Sequence, residues 1–404
     1  MSRLALNLRL LCAFRAFQMA LVPVAIVPLY WRDDVGMTMG EIFSLQALFG
    51  LFVACLEFPG GFVADRVGYR SALGVATGFS VVGWIVMGNA DSFWTVLGAE
   101  LLFAFSLALT SGTDSAMLYE SCVELGEEHE FRRWFGRSRS IGALSEGTAA
   151  LVAGILYSVW APLPFYLQAA LWLLNGLIVL ALVEPARHPP ALDHPWQRVR
   201  EIFALAAYRS PRLRASLVTV AVIGLSTFTP VWMVAVYASD AGVSAAWIGP
   251  IWAAANYCVA LGNWTSDATA RRFGPFATVG GCLALIALGL LGMGLSHAVW
   301  GFAFYFLVCL GRGLNGPIFN HMQQRLIPSS DRASLLSINS LLFRGGFFLL
   351  GPVLGSNVDR FGEHAVLLVL AATIFPLCTA SLVWLRATMA HDPDPSEPTP
   401  QFRG

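Results

Sequence analysis

About a dozen apolar stretches, each near 20 residues long and divided by short charged or turn-forming segments, constrain this chain more than any other feature. A hydrocarbon core about 30 Å thick takes about 20 apolar residues of helix to cross. In lipid only helices and closed barrels satisfy their own backbone polar groups. The stretches fall at about 10–31, 40–64, 71–90, 93–119, 136–160 and 164–183, then at about 213–238, 245–266, 275–296, 298–323, 333–357 and 364–386. They predict an all-α membrane protein of twelve transmembrane helices in two six-helix bundles, residues 1–183 and 213–387. Between them, 184–212 reads as a linker whose middle, Trp196 to Tyr208, suits a helix lying on the membrane surface. The proline-rich, acidic stretch 388–404 reads as a disordered tail. The run after Arg3 and Arg9 continues without a clear cleavage site, so it predicts an uncleaved first span rather than a signal peptide.

Charge sets orientation and excludes several functions. Of 404 residues 56% are hydrophobic and 12% charged, about half the charged share of a soluble domain, which excludes a soluble enzyme. Net charge is zero, so the chain carries no nucleic-acid footprint. All 25 basic residues are arginines. With both termini cytoplasmic, twenty of them fall in cytoplasmic segments and two, Arg32 and Arg360, on the opposite side. Arg15, Arg312 and Arg344 fall within spans. That asymmetry follows the positive-inside rule.

Residues 60–73 read GGFVADRVGYRSAL. Gly61, Ala64, Asp65, Arg66, Gly68, Arg70 and Leu73 match the loop signature G-x-L-A-D-R-x-G-R-R/K-x-x-L, with Val63 in place of the usual leucine. On these seven positions the chain resembles the major facilitator superfamily of transporters, and EFPGGFVADRVGYR with DSAMLYES resembles a bacterial, exporter-containing subgroup. GNWTSDATARRFG, residues 262–274, repeats the signature more weakly, with Asp267 in the place of Asp65. At nearly the same offset Gly154 answers to Gly355, so the halves read as a parallel repeat.

The resemblance implies a monomer in the inner (cytoplasmic) membrane that moves a small-molecule substrate and protons through the bilayer by alternating access, with no cofactor. Gly61, Asp65, Arg66, Gly68, Arg70 and Asp267 would form the gating loops. The family's fourth-span arginine motif is matched only by Arg312 and Gly316 in span ten, and GPVLG, residues 351–355, resembles the antiporter motif but lies in span eleven rather than five.

A charged side chain inside a span is costly, and each one is a functional candidate. Glu57 and Glu146 are expected to couple protons, with Asp114 beside them. Glu100 and Asp114 would share one face of a continuous helix, about four turns apart. Arg312, Arg344, Glu146, Asn315, Gln18 and Asn256 are expected to bind substrate. The structural alternative is that the acids pair with Arg15 or loop arginines, and the arginines with membrane acids. The seven cysteines are scattered without a C-x-x-C pair, and no histidine has a partner at ligand spacing, so no metal site is expected. Trp31, Trp94, Trp160, Trp247 and Trp300 fall at expected interfaces, as an aromatic belt does. The functional expectation is proton-coupled export of a small polar or anionic metabolite, a siderophore-type carboxylate being one example. Its rivals are efflux of apolar drugs and proton-coupled uptake of a small anion.

Overall fold

A computed structural model describes residues 3–186, 211–325 and 332–391, and within them no strand occurs. The linker's Trp196 to Tyr208 lies outside these residues, and of the tail expected at 388–404 only 388–391 are described, as the end of the last helix.

Proline and glycine decide where the long apolar runs break. The first run forms α1 (Arg3–Met19) and α2 (Val27–Asp33), with a 3-10 turn at Val22–Ala25 between them. Pro23 and Pro28 have no N–H to continue a helix. The Val22 amide donates both to the Ala20 carbonyl at 2.9 Å and to Oε1 of Gln168 at 2.8 Å. After α3 (Met39–Val67), Gly68 turns the chain with φ 111° and ψ 144°, and α4 (Tyr69–Gly88) begins at the next residue. The hinge expected across 60–73 is therefore one residue wide. The fourth run is not one helix. Gly112, at φ 83°, divides it into α5 (Phe93–Thr110) and α6 (Thr113–Glu124), so the continuous register expected from Glu100 to Asp114 is interrupted. α7 (Phe131–Val159) and α8 (Leu163–Ala181) complete the first half. The second half holds α9 (Pro211–Asp240), α10 (Ile248–Phe273), α11 (Pro275–Leu295), α12 (Tyr305–Arg325), α13 (Arg332–Phe361) and α14 (Glu363–His391).

Eleven stretches of the described residues are long and apolar enough to cross a membrane. The stretch expected at 245–266 is not among them, although α10 is 26 residues long. Its polar residues serve packing: Ser266 Oγ donates to the Leu314 carbonyl at 2.6 Å, and a Cβ on Gly262 would meet the backbone of α12.

Each half packs mainly on itself, α3 and α4 against α5 and α1 against α7, then α10 and α11 against α12 and α9 against α14. Two main seams join the halves, α3 on α13 and α7 on α10, and between them α2 packs on α9. The starts of α7 at Phe131 and α13 at Arg332 are separated by the same interval as Gly154 and Gly355, so each seam is the other's counterpart in the repeat. We call the end holding Asn7, Val183, Arg212 and Thr388 the near end. There Asn7 donates to the Val183 carbonyl and Arg212 to that of Thr388. The opposite, far end holds residues 32–40, 240–249 and 355–361.

Candidate functional site

The halves close on each other at the far end. A Cβ on Gly154 would strike the Ala245 carbonyl, and one on Gly249 that of Ala150. In the other seam a Cβ on Gly355 would lie 2.5 Å from the Met39 carbonyl. These glycines let backbone rest on backbone. Asp359 of α13 accepts from the backbone N–H of Met39 and Gly40, each at 2.8 Å, at the start of α3. A helix start leaves four N–H groups unpaired and favours a negative charge. Thr38 and Glu41 satisfy their share through a capping box, so the cap of α3 is complete only when the other half supplies Asp359. Arg32 donates to Asp33 at 2.6 Å and across the seam to Asp240 at 2.7 Å. Burial alone would lower the Arg32 guanidinium, but its bonds to the two carboxylates raise it above its usual range.

Beneath this seal lies a cavity of about 480 Å³ with walls from both halves. Its surface is largely apolar and carries aromatic rings from both halves: Trp31, Trp84 and Trp172 from the first, Phe228, Trp232, Phe343 and Phe347 from the second. Trp31 is fully buried and stacks on Trp232, ring centroids 5.9 Å apart, with its indole N–H on the Met87 sulfur. This corrects its expected place in an interface belt. The turn at 20–26 carries α2 inward, whereas Trp94, Trp160, Trp247 and Trp300 are exposed. The indole N–H groups of Trp172 and Trp232 have no hydrogen-bond partner among the described residues. The polar groups of the wall include Gln18, Gln46, Glu100 and Arg344. Glu100, 6% exposed, faces the Gln46 amide and has no ion-pair partner among the described residues.

A second recess of about 390 Å³ opens toward the near end, lined by Arg15, Gln18, Asp114, Ser138 and Arg139. Arg15 lies 3.6 Å from Asp114 and donates to Gln18 at 2.9 Å. Asp114 also accepts from the Ser115 N–H, at the start of α6. The structure thus places Asp114 in the pairing weighed as its structural alternative.

The remaining expected residues divide. Arg344 lies on the cavity wall, donates to Ser340 Oγ at 3.0 Å and stands within electrostatic reach of Glu57. Glu57 is exposed and accepts from Ser111. Glu146 is half-buried, within reach of both Arg15 and Arg312. Each second-half span arginine therefore faces a first-half acid. Arg312 is exposed and is not part of the cavity wall, nor are Asn315 and Asn256; Asn256 donates to the Trp252 carbonyl of its own helix. Gln18 lines both spaces.

Of the gating residues, Gly61 and Asp65 fall on the last turns of α3, and their side chains lie outside what the structure describes. Arg66 is exposed on the last turn of α3, with a contact of its own. Arg70 donates to the carbonyls of Val179 and Leu180, tying α4 to the end of α8. Glu184, absent from the expected set, accepts from the N–H of Tyr69 and Arg70 and caps α4. Asp267 pairs with Arg271 one turn on, at 2.6 Å and exposed. The hinge that answers to Gly68 is Gly274, so Asp267 sits about one helical turn further from its hinge than Asp65 does from its own. The weaker copy of the signature is out of step by that turn.

Sequence reasoning passed over Gln46, Asp359 and the Arg32–Asp240 bridge, and named Glu100 without giving it a role. The signal for Glu100 was present, since a carboxyl inside a span is rare. The signal for Asp359 was not, because its partners lie 319 and 320 residues away. No group of three or more ligand-type side chains that could hold a metal occurs among the described residues.

The profile of the Major Facilitator Superfamily matches residues 10–350. The MFS-type transporter YxaM of Bacillus subtilis (strain 168) is 23% identical over 386 residues, covering 89% of this chain and 91% of that protein. The MFS-type transporter MJ1317 of Methanocaldococcus jannaschii is 27% identical over 140 residues, 34% of this chain and 33% of its own. Among solved structures, a mutant of the nucleoside transporter NupG superposes with a TM-score of 0.77 at 15% identity, covering 96% of this chain and 99% of that one. A POT family transporter in complex with a thioalcohol conjugated peptide gives 0.71 at 14% identity, covering 95% and 96%. At these identities the structures share the fold.

Proposed function

The chain belongs to the Major Facilitator Superfamily, and on that premise we propose that it exports a small anionic or zwitterionic metabolite by proton-coupled alternating access. As a member of that family it is a multi-pass membrane transporter of small molecules and not an enzyme. One observation supports alternating access above all. Both seams lock at the far end, over a cavity reached from both halves, and their counterpart relation lets the same halves rock the other way. The arginine-rich near end is assigned to the cytoplasm and the bilayer to the inner membrane.

Coupling is assigned to Glu57 and Glu146, with Asp114 behind them. Each of the first two faces an arginine of the opposite half. A proton on the acid removes the attraction across the cleft, and the arginine is left to the substrate anion. Arg344 is the arginine on the cavity wall, and its planar fork suits a carboxylate. A siderophore-type carboxylate remains the example drawn from sequence. A second reading, efflux of apolar compounds, is favoured by the aromatic wall.

Proteoliposomes loaded with a metabolite panel and given a proton gradient test the reading. Uphill movement of an anionic or zwitterionic solute, lost when the gradient is collapsed, is the expected result. Movement indifferent to the gradient overturns coupling, and a preference for apolar cations moves the assignment to the second reading.

A further inference from the structure

Glu100 is the charged side chain of the cavity that the proposed mechanism leaves unused. It sits on α5, 6% exposed, with the Gln46 amide against it and no ion-pair partner among the described residues. The other ionisable groups around the cavity are engaged. Arg344 bonds Ser340 and faces Glu57, Arg15 faces Asp114, and the Tyr30 hydroxyl donates to the Met87 carbonyl at 3.3 Å. Arg32 is committed to Asp33 and Asp240 in the seal. A carboxylate buried without a counter-charge is costly, so something positive must reach Glu100: a proton, or a cation brought by the ligand.

The walls say which cation. Trp31, Trp84, Phe103 and Trp232 line the same space. Indole and phenyl faces attract an organic cation, most strongly where water is excluded. A small metal ion would need several oxygen ligands, and Gln46 with one carboxyl does not supply them. We propose that Glu100 is the shared seat of the proton and of the substrate's ammonium group, so that the solute is an aromatic-bodied zwitterion whose amine displaces a proton there. The exchange balances: the Glu100 carboxylic acid gives its proton to cavity water, and the carboxylate that remains takes the ammonium. The solute's carboxylate is left for Arg344 and for the unpartnered indole N–H groups of Trp172 and Trp232. This deepens the transport reading above and rests on it for the direction of movement alone.

Three probes with one phenyl body separate the charges: phenethylamine, phenylalanine and 3-phenylpropionate. Binding to the purified full chain is followed by calorimetry in weak buffer, with proton release read by a pH indicator. The amine and the zwitterion are expected to bind with release of about one proton, and the acid without release. Glu100→Gln keeps the shape of the side chain. It should weaken both amines about tenfold or more and abolish proton release, leaving the acid unaffected. Glu100→Asp should restore the release. A purely packing role would lower the melting temperature of the variant and affect all three probes alike. Amine binding and proton release unchanged in Glu100→Gln overturn the assignment, as does failure of both amines to bind the wild type. Retained amine binding without gradient-driven movement in vesicles would instead sink the transport reading and leave the site standing.

Discussion

Arg344 and Asp359 lie on one helix, α13, and their charges do different work. Arg344 reaches the cavity wall with a guanidinium that also holds Ser340 Oγ. A lysine keeps the charge but loses the fork, so Arg344→Lys is expected to weaken a carboxylate-bearing substrate by about 1 kcal/mol or more, read in a binding titration of the purified variant. Asp359 completes the cap of α3 from the other half. Asp359→Asn keeps an acceptor but loses the charge that favours a helix start. It should shift the equilibrium away from the sealed form by roughly 0.5–1 kcal/mol. Spin labels at Asp33 and Ala241 would report this as a larger population of long distances. The Arg32–Asp240 bridge is half in water on its acidic side, 52% exposed, so Arg32→Ala is expected to move the same distribution less than Asp359→Asn does. Sequence revealed the span charges one by one, because each breaks an apolar run. It could not reveal their pairing. Glu57 comes within electrostatic reach of Arg344, and Glu146 of Arg312 as well as of Arg15, only once distant parts of the chain are folded together.

At the scale of helices, hydropathy found the spans and missed their interruptions. A window of about 20 residues, the length of a span, averages over Ser111 and Gly112 and over Pro23 and Pro28. So α5 with α6 and α1 with α2 read as single runs. Termini such as Phe93, Pro275 and Met39 were legible to within a residue, because charge or turn formers stand beside them. The glycine pair 154 and 355 was legible as a repeat, but its use as a contact between backbones was not. The contact predicts that Gly154→Ala and Gly355→Ala each open the far end, since the new methyl meets a carbonyl that cannot turn aside. Gly280→Ala, on α11 with nothing near its Cβ, is the control and should leave spin-label distances unchanged. At the near end, Glu184→Gln removes the charge on the start of α4 and is expected to cost about 1 kcal/mol in a chemical-denaturation experiment, with no change in the far-end distances.

For the molecule as a whole, two counterpart seams at one end make the halves a pair of levers. Along α13 the contact of Arg344 with the Gly50 carbonyl lies below Gly355 by an arm of about 16 Å. From Arg344 back to Arg332, the start of the helix at the near end, the arm is about 18 Å. Arms so nearly equal neither magnify nor damp a displacement. A wedge of about 1.5 Å driven between α3 and α13 at Gly355 should narrow the opposite mouth by about as much, roughly the radius of a water molecule. Two such wedges, one in each seam, would tilt the halves as a balanced beam, and the width of the doorway would then be set from the far end by whether a methyl group is there.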